Sequence, residues 1–152
     1  MRRALVAGTL ALGLAAAVPV LAATPASALD AFEIRNDRSG KCLTVNGDNV
    51  EIRTCGNGSS QWWMWDGKKL RSLANMHCLD VRNGGINEAV QAVGDCHGNA
   101  NQRWFFWNRE LHTDLNGQIA QVQRADDTWD GAGINMHDPN GGSWQHWYTT
   151  KV

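Results

Sequence analysis

Three groups of residues in this 152-residue chain have types and spacing suited to chemistry. The first is Cys42, Cys55, Cys78 and Cys96. An even cysteine count in an exported chain reads as disulfides. Four cysteines allow three connectivities, of which Cys42 with Cys55 and Cys78 with Cys96 is the simplest. The competing chemistry is zinc, because His77 precedes Cys78 and His97 follows Cys96. Structural zinc sites use closer cysteine pairs, so no metal is expected here. The second group is Asp126, Asp127 and Asp130 around Trp129. It reads as a calcium loop or as the carboxylate pair of a glycoside hydrolase. The glycine of an EF-hand loop is not at the required offset, and a solvated loop is the simpler reading. Trp129, if exposed, offers an apolar ring face for stacking. The third group is five scattered histidines, none beside a free serine or cysteine nucleophile once the cysteines are bridged. No G-x-S-x-G elbow, H-E-x-x-H pair or phosphate-binding glycine loop occurs. The residues therefore predict no enzyme and no cofactor.

The elements that position these groups follow from an internal repeat. Gln61-Trp62-Trp63, Gln102-Arg103-Trp104 and Gln145-His146-Trp147 share a Gln-x-Trp spacing. Ile34, Leu70 and Leu111 stand at equal distances before Cys42, Cys78 and Ile119, and Val45, Val81 and Val122 follow at equal distances after them. The segments between are short, with apolar and polar residues alternating, as in Val50-Glu51-Ile52-Arg53. Asn46-Gly47, Asp66-Gly67, Asn116-Gly117 and similar turn signals punctuate them. Such segments are strands and hairpins, and no sustained helical periodicity appears after residue 29. One repeat cannot bury its own apolar face, whereas three around a shared axis can. Trp63, Trp104 and Trp147, with Ile34, Leu70 and Leu111, are expected in that shared core, and closure into a barrel removes most exposed edges.

The N-terminus reads as a secretory signal over residues 1–28. Arg2 and Arg3 open it, an uncharged run rich in Ala, Leu and Val follows, and Ala26-Ser27-Ala28 offers small residues for cleavage after Ala28. The expected mature chain, 29–152, is secreted and has the length of one domain. Without Arg2 and Arg3 it carries 12 basic residues against 15 acidic ones, with no block of Lys or Arg. That balance argues against nucleic acid as a partner, and no later segment is apolar enough to insert in a membrane.

Cys78-Leu79-Asp80-Val81, then Asp95-Cys96, then Asn101-Gln102-Arg103-Trp104, with Leu70-Arg71-Ser72 before them, resembles a repeat of the ricin B-chain type lectin family. The resemblance covers the whole mature chain in three copies, approximately 31–69, 70–110 and 111–152. It implies an all-β fold, a β-trefoil with pseudo-three-fold symmetry and twelve short strands, six forming a barrel and six capping it as hairpins. Members often bridge the two cysteine positions within a repeat, which agrees with local pairing of Cys42 with Cys55 and of Cys78 with Cys96. The third repeat has Ile119 and Pro139 at those positions.

The resemblance also implies one shallow sugar site per repeat. It is built from an Asp two residues after the first cysteine, a polar residue and an aromatic platform near the second, and an Asn before the Gln-x-Trp. A carboxylate accepts hydrogen bonds from neighbouring hydroxyls, an amide both donates and accepts, and a ring face covers the apolar side of the sugar. The second repeat keeps Asp80, Asn101 and Gln102, with Gln91 as a further polar partner, but Val93 and Gly94 occupy the platform position. The first repeat has Thr44, Arg53 and Ser60 at the corresponding places, and the third has Gln121, His137 and Trp144. The expected site is therefore Asp80, Gln91, Asn101 and Gln102, with Gln121, His137 and Trp129 as weaker contributors. Gln61, Gln102 and Gln145 are also expected to bond backbone inside their own repeats. The chain thus reads as a monomeric lectin or free-standing carbohydrate-binding module whose partner is a mono-, oligo- or polysaccharide. A protein-binding trefoil, such as a protease inhibitor or toxin component with decayed sugar sites, is the competing reading.

Overall fold

The computed structural model describes residues 30–152, and the expected signal segment lies outside them. Twelve strands follow one another: β1 (Phe32–Asn36), β2 (Cys42–Asn46), β3 (Asn49–Arg53), β4 (Trp63–Asp66), β5 (Lys69–Ser72), β6 (Cys78–Val81), β7 (Val90–Val93), β8 (Trp104–Trp107), β9 (Glu110–Thr113), β10 (Ile119–Val122), β11 (Ala132–His137) and β12 (Trp147–Lys151). Among the described residues the only helical pieces are single 3-10 turns. β2–β3, β6–β7 and β10–β11 are antiparallel hairpins. The other six strands close on themselves, β1 pairing with both β12 and β4, β4 with β5, and β8 with β9. Two backbone bonds complete the ring, Trp104 N–H to Lys68 O and Trp147 N–H to Arg109 O. The architecture is the twelve-stranded β-trefoil expected from the repeats.

Trp63, Trp104 and Trp147 are buried together with Ile34, Leu70 and Leu111. A buried indole N–H needs an acceptor, and each finds one in its own repeat. Trp63 donates to Leu43 O at 3.0 Å, Trp104 to Leu79 O at 2.8 Å and Trp147 to Ala120 O at 2.9 Å. Each Gln of the Gln-x-Trp triplets ends a 3-10 turn and turns its amide inward. Gln61, Gln102 and Gln145 accept from the backbone N–H of Gly56, Gly98 and Asn140 and donate to the carbonyls of Thr54, Asp95 and Asp138. The triplet is therefore a clasp in which the Gln ties down the loop after each hairpin and the Trp two residues later enters the core. Two clasps are covalently reinforced, by Cys42–Cys55 and Cys78–Cys96. In the third repeat Ile119 fills the corresponding core position instead.

Neighbouring repeats are joined by equivalent contacts. The N–H groups of Asp37, Leu73 and Asp114 bond the carbonyls of His146, Trp62 and Arg103. Ion pairs add to them, Asp114 with Arg103 (2.8 Å) and Lys68 (3.0 Å), Arg109 with Asp37, and Lys41 with Asp130. Hydrogen bonds from Arg103 and then Lys68 hold the Asp114 carboxyl below the usual carboxylate range. Lys41, then the Thr54 backbone, does the same for Asp130, and Arg71, then Lys69, for Asp66. A carboxyl whose pKa is lower in the folded chain stabilises it at pH values above the unfolded pKa, and that contribution is lost as pH falls through the folded value. The thermal midpoint is therefore expected to be flat between about pH 7 and 5 and to fall below about pH 4. Thermal unfolding at pH 7, 5, 4 and 3 checks this, and an undiminished midpoint at pH 3 contradicts it. These pairs are exposed, so the effect should also shrink in high salt.

Candidate functional site

The hairpin β6–β7 sets Asp80 directly opposite Gln91. The 3-10 turn before β8 brings Asn101 and Gln102 to the same carboxylate. Asp80 Oδ1 accepts from Gln91 Nε2 at 3.0 Å, and Oδ2 accepts from Asn101 Nδ2 at 2.8 Å and from Gln102 Nε2 at 3.0 Å. Asp80 is 4% exposed. A buried carboxylate needs such donors, and three of its roughly four acceptor positions are filled. Asn101 donates its other N–H to Val81 O at 3.3 Å. Gln91 Oε1 accepts from Arg82 Nε at 3.1 Å.

All four expected residues thus meet, but in two roles. Gln102 is fully buried, its two N–H groups go to Asp80 and Asp95 O, and its carbonyl takes the Gly98 N–H. It has no surface to offer a ligand, so the expected sugar contact through Gln102 is replaced by a positioning role. Gln91 and Asn101 are half-buried. Among the described residues Asn101 Oδ1 and the second N–H of Gln91 have no partner. These atoms and the remaining Asp80 lone pair can address a ligand's hydroxyls.

No aromatic ring occupies the platform position. Val93 lies opposite Cys78 in the ladder, and a side-chain carbon on Gly94 would stand 3.3 Å from His77 Nε2. Gly94 therefore makes room for His77. The ring beside the carboxylate is His97, whose Nε2 is 3.9 Å from Asp80 Oδ2. Its Nδ1 accepts from the Asn99 N–H at 3.0 Å, which in the neutral ring leaves the hydrogen on Nε2, facing Asp80. Sequence reasoning did not single out His97 for this site. The signal was its place after Cys96, since the bridge to Cys78 returns residue 97 to within reach of residue 80. Because Cys78 and Cys96 are bonded to each other, neither offers a thiolate to zinc.

The corresponding positions elsewhere are occupied by internal contacts. In the first repeat Gln61 Nε2 bonds Thr44 Oγ1, and Arg53 Nε bonds Glu51 at 2.6 Å. In the third, Gln121 accepts from Gln145 and donates to Asn135, while His137 Nδ1 is 3.0 Å from Asp138 O. Trp129 is 56% exposed and lies across the first repeat, in a cavity of about 530 Å³ that includes Glu51, Gln123 and Gly131 but not Asp80. Asp80, Asn101 and Gln102 are not in that cavity's lining, whereas Arg82, which bonds Gln91, is. A cavity of about 670 Å³, lined by Phe32, Trp65, Phe106, Thr149 and Lys151, also lies apart from Asp80.

Comparison with known proteins agrees with the fold. The family model described as "Ricin-type beta-trefoil lectin domain" matches residues 30–147. Volkensin from Adenia volkensii is 29% identical over 111 residues, which are 70% of this chain and 21% of that protein. The chain thus spans about a fifth of the length of this relative. Among solved structures, ThreeFoil, a designed 3-fold symmetric protein, superposes with a TM-score of 0.72 at 24% identity, over 81% of this chain and 99% of its own. The C-half of the earthworm R-type lectin, in complex with GalNAc, gives 0.71 at 18% identity, over 81% of this chain and 99% of its own. These two likenesses show a shared fold.

Proposed function

The chain belongs to the ricin-type β-trefoil lectin domain family, and from that premise we propose that it is a secreted, non-catalytic carbohydrate-binding protein whose best site lies in the second repeat. The observation that carries this reading is the buried Asp80 carboxylate of β6 held by three amide donors, with the half-buried Gln91 and Asn101 and the His97 ring around it. A fixed acceptor beside fixed amides recognises vicinal hydroxyls without reorganising, which is what a weak, shallow site needs. Three of the acceptor positions of Asp80 are already taken by amides, so the arrangement suits binding rather than proton transfer to a substrate. The GalNAc bound by the earthworm lectin supports a neutral pyranose as the ligand class. Secretion is supported by the two disulfides, which persist in oxidising compartments. The domain is expected to act as a monomer.

The test is retention of the purified protein on a panel of immobilised glycans and insoluble polysaccharides. Retention that free sugar elutes supports the reading, and no retention of a folded protein overturns it. A second reading, a protein-binding trefoil, is favoured by the outward-facing Phe105 and Trp107 on β8, the latter 66% exposed. Protease inhibition without glycan retention would select it.

A further inference from the structure

The cavity beneath Trp129 draws its walls from all three repeats, with Glu51 from β3, Arg82 after β6, and Gln123 and Arg124 after β10. It forms where the hairpins meet edge to edge, β3 pairing with both β7 and β11. The segment carrying Trp129 is fixed at both ends to the first repeat. Asp126 pairs with Arg38 at 3.0 Å, and Asp130 pairs with Lys41 and accepts from the Thr54 N–H at 2.8 Å. Two carboxylates of the acidic cluster are thus structural, and Asp127 alone faces the cavity. Two glycines of the lining are closely packed, and at Gly131 the backbone itself favours glycine. At Gly131, with φ of +100°, a side-chain carbon would lie 3.0 Å from the Trp129 ring, and at Gly133 it would lie 3.0 Å from the Gln123 amide. Arg124 is itself turned by a left-handed backbone, φ 56°, followed by Ala125 at 55°. Such strain persists only where the surroundings impose it.

The charges of this cavity are unbalanced. Glu51 is buried, and its Oε1 is engaged by Arg53 at 2.6 Å and by Asn46 at 3.2 Å. Arg82 uses its Nε on Gln91, and among the described residues neither Arg82 nor Arg124 lies within ion-pair reach of a carboxylate. With Glu51 paired to Arg53, the lining's remaining charged side chains are those of Arg82, Arg124 and Asp127. An exposed indole, an amide with no partner among the described residues and two guanidinium groups are the complement of a pyranose that bears a carboxylate.

We propose that this inter-repeat cavity is a second, separate glycan site that takes an acidic sugar residue. The ring lies on Trp129, the carboxylate faces Arg82 and Arg124, and Gln123 meets a hydroxyl. The ligand class rests on the carbohydrate-binding reading above, while the location does not.

Isothermal titration with a tetramer of α-1,4-linked galacturonic acid and with its methyl ester tests the site, since esterification removes the charge and little else. Trp129→Ala, Arg124→Gln and Asp80→Ala are titrated in parallel. The expected result is tighter binding of the free acid than of the ester, by about ten-fold, and a loss of about ten-fold or more for the acid in Trp129→Ala and in Arg124→Gln. Asp80→Ala should lower acid binding by much less than either, since Asp80 reaches this cavity only through Gln91 and Arg82. Acid binding lost in Asp80→Ala and kept in Trp129→Ala overturns the second site. Absence of acid binding by the unsubstituted protein overturns it too, and retention of neutral glycans then tells whether the second-repeat reading stands without it.

Discussion

Reduction of the two disulfides is expected to bring the domain to the edge of unfolding. Cys42–Cys55 and Cys78–Cys96 close loops of 13 and 18 residues. Each such cross-link stabilises by about 3 kcal/mol, chiefly by restricting the unfolded chain. Together they contribute about 6 kcal/mol, against a total of about 5–15 kcal/mol for a typical single domain. Cys55 and Cys96 are half-buried while Cys42 and Cys78 are fully buried, so a reductant can reach one sulfur of each bridge. Urea titration followed by tryptophan fluorescence, with and without dithiothreitol, reads the effect. The midpoint should fall by half or more, and an unchanged midpoint after verified reduction would show that packing alone holds the first two repeats. The third repeat, with Ile119 in the core, lacks this dependence, so exchange of its amides should be the least altered among folded molecules.

The second large effect concerns Asp80. Its replacement by Ala is expected to weaken neutral glycan binding by about a hundred-fold or more, the scale of a lost charged acceptor plus two released amides. The change also has a stability cost. Gln91 and Asn101 are half-buried and can turn to water, but the Gln102 N–H that faced Asp80 is fully buried and loses its partner. An orphaned buried donor costs about 1–3 kcal/mol, which predicts a thermal midpoint lower by about 5 °C. Asn101→Ala separates the two consequences, since it removes a ligand-facing amide without orphaning a buried one. It should lower affinity by about ten-fold with little change in the midpoint. Full glycan retention by a folded Asp80→Ala protein would place the site elsewhere.

Much of the fold was legible because the same residue types recur at independent positions. A single Gln-x-Trp says little, whereas three in register with apolar positions ahead of them leave few arrangements that bury every tryptophan. The candidate site was legible to the extent that it is local. Asp80 and Gln91 face each other across one hairpin, which alternation predicts. The roles of Asn101 and Gln102 were not, since adjacent residues on a 3-10 turn point in different directions and only packing decides which amide is inside. Trp129 was beyond reach for another reason. Its position depends on Arg38–Asp126 and Lys41–Asp130, contacts between residues 88 and 89 apart in the chain, and no local pattern encodes such pairing. His97 lies between these cases, since its place follows from a cross-link that sequence reasoning proposed but did not carry forward.

The pairing of β1 with β12 along five registered positions, from Phe32 opposite Lys151 to Asn36 opposite Trp147, has a consequence for chain connectivity. The first and last strands meet as β4–β5 and β8–β9 do, so the strand pairing alone does not mark which strand comes first. A circular permutant of residues 30–152 opened in the turn between Asp66 and Lys69, with residues 152 and 30 joined by a short linker, would keep every strand pair. It would carry Asp80 and Trp129 unchanged on a polypeptide that begins a third of the way around.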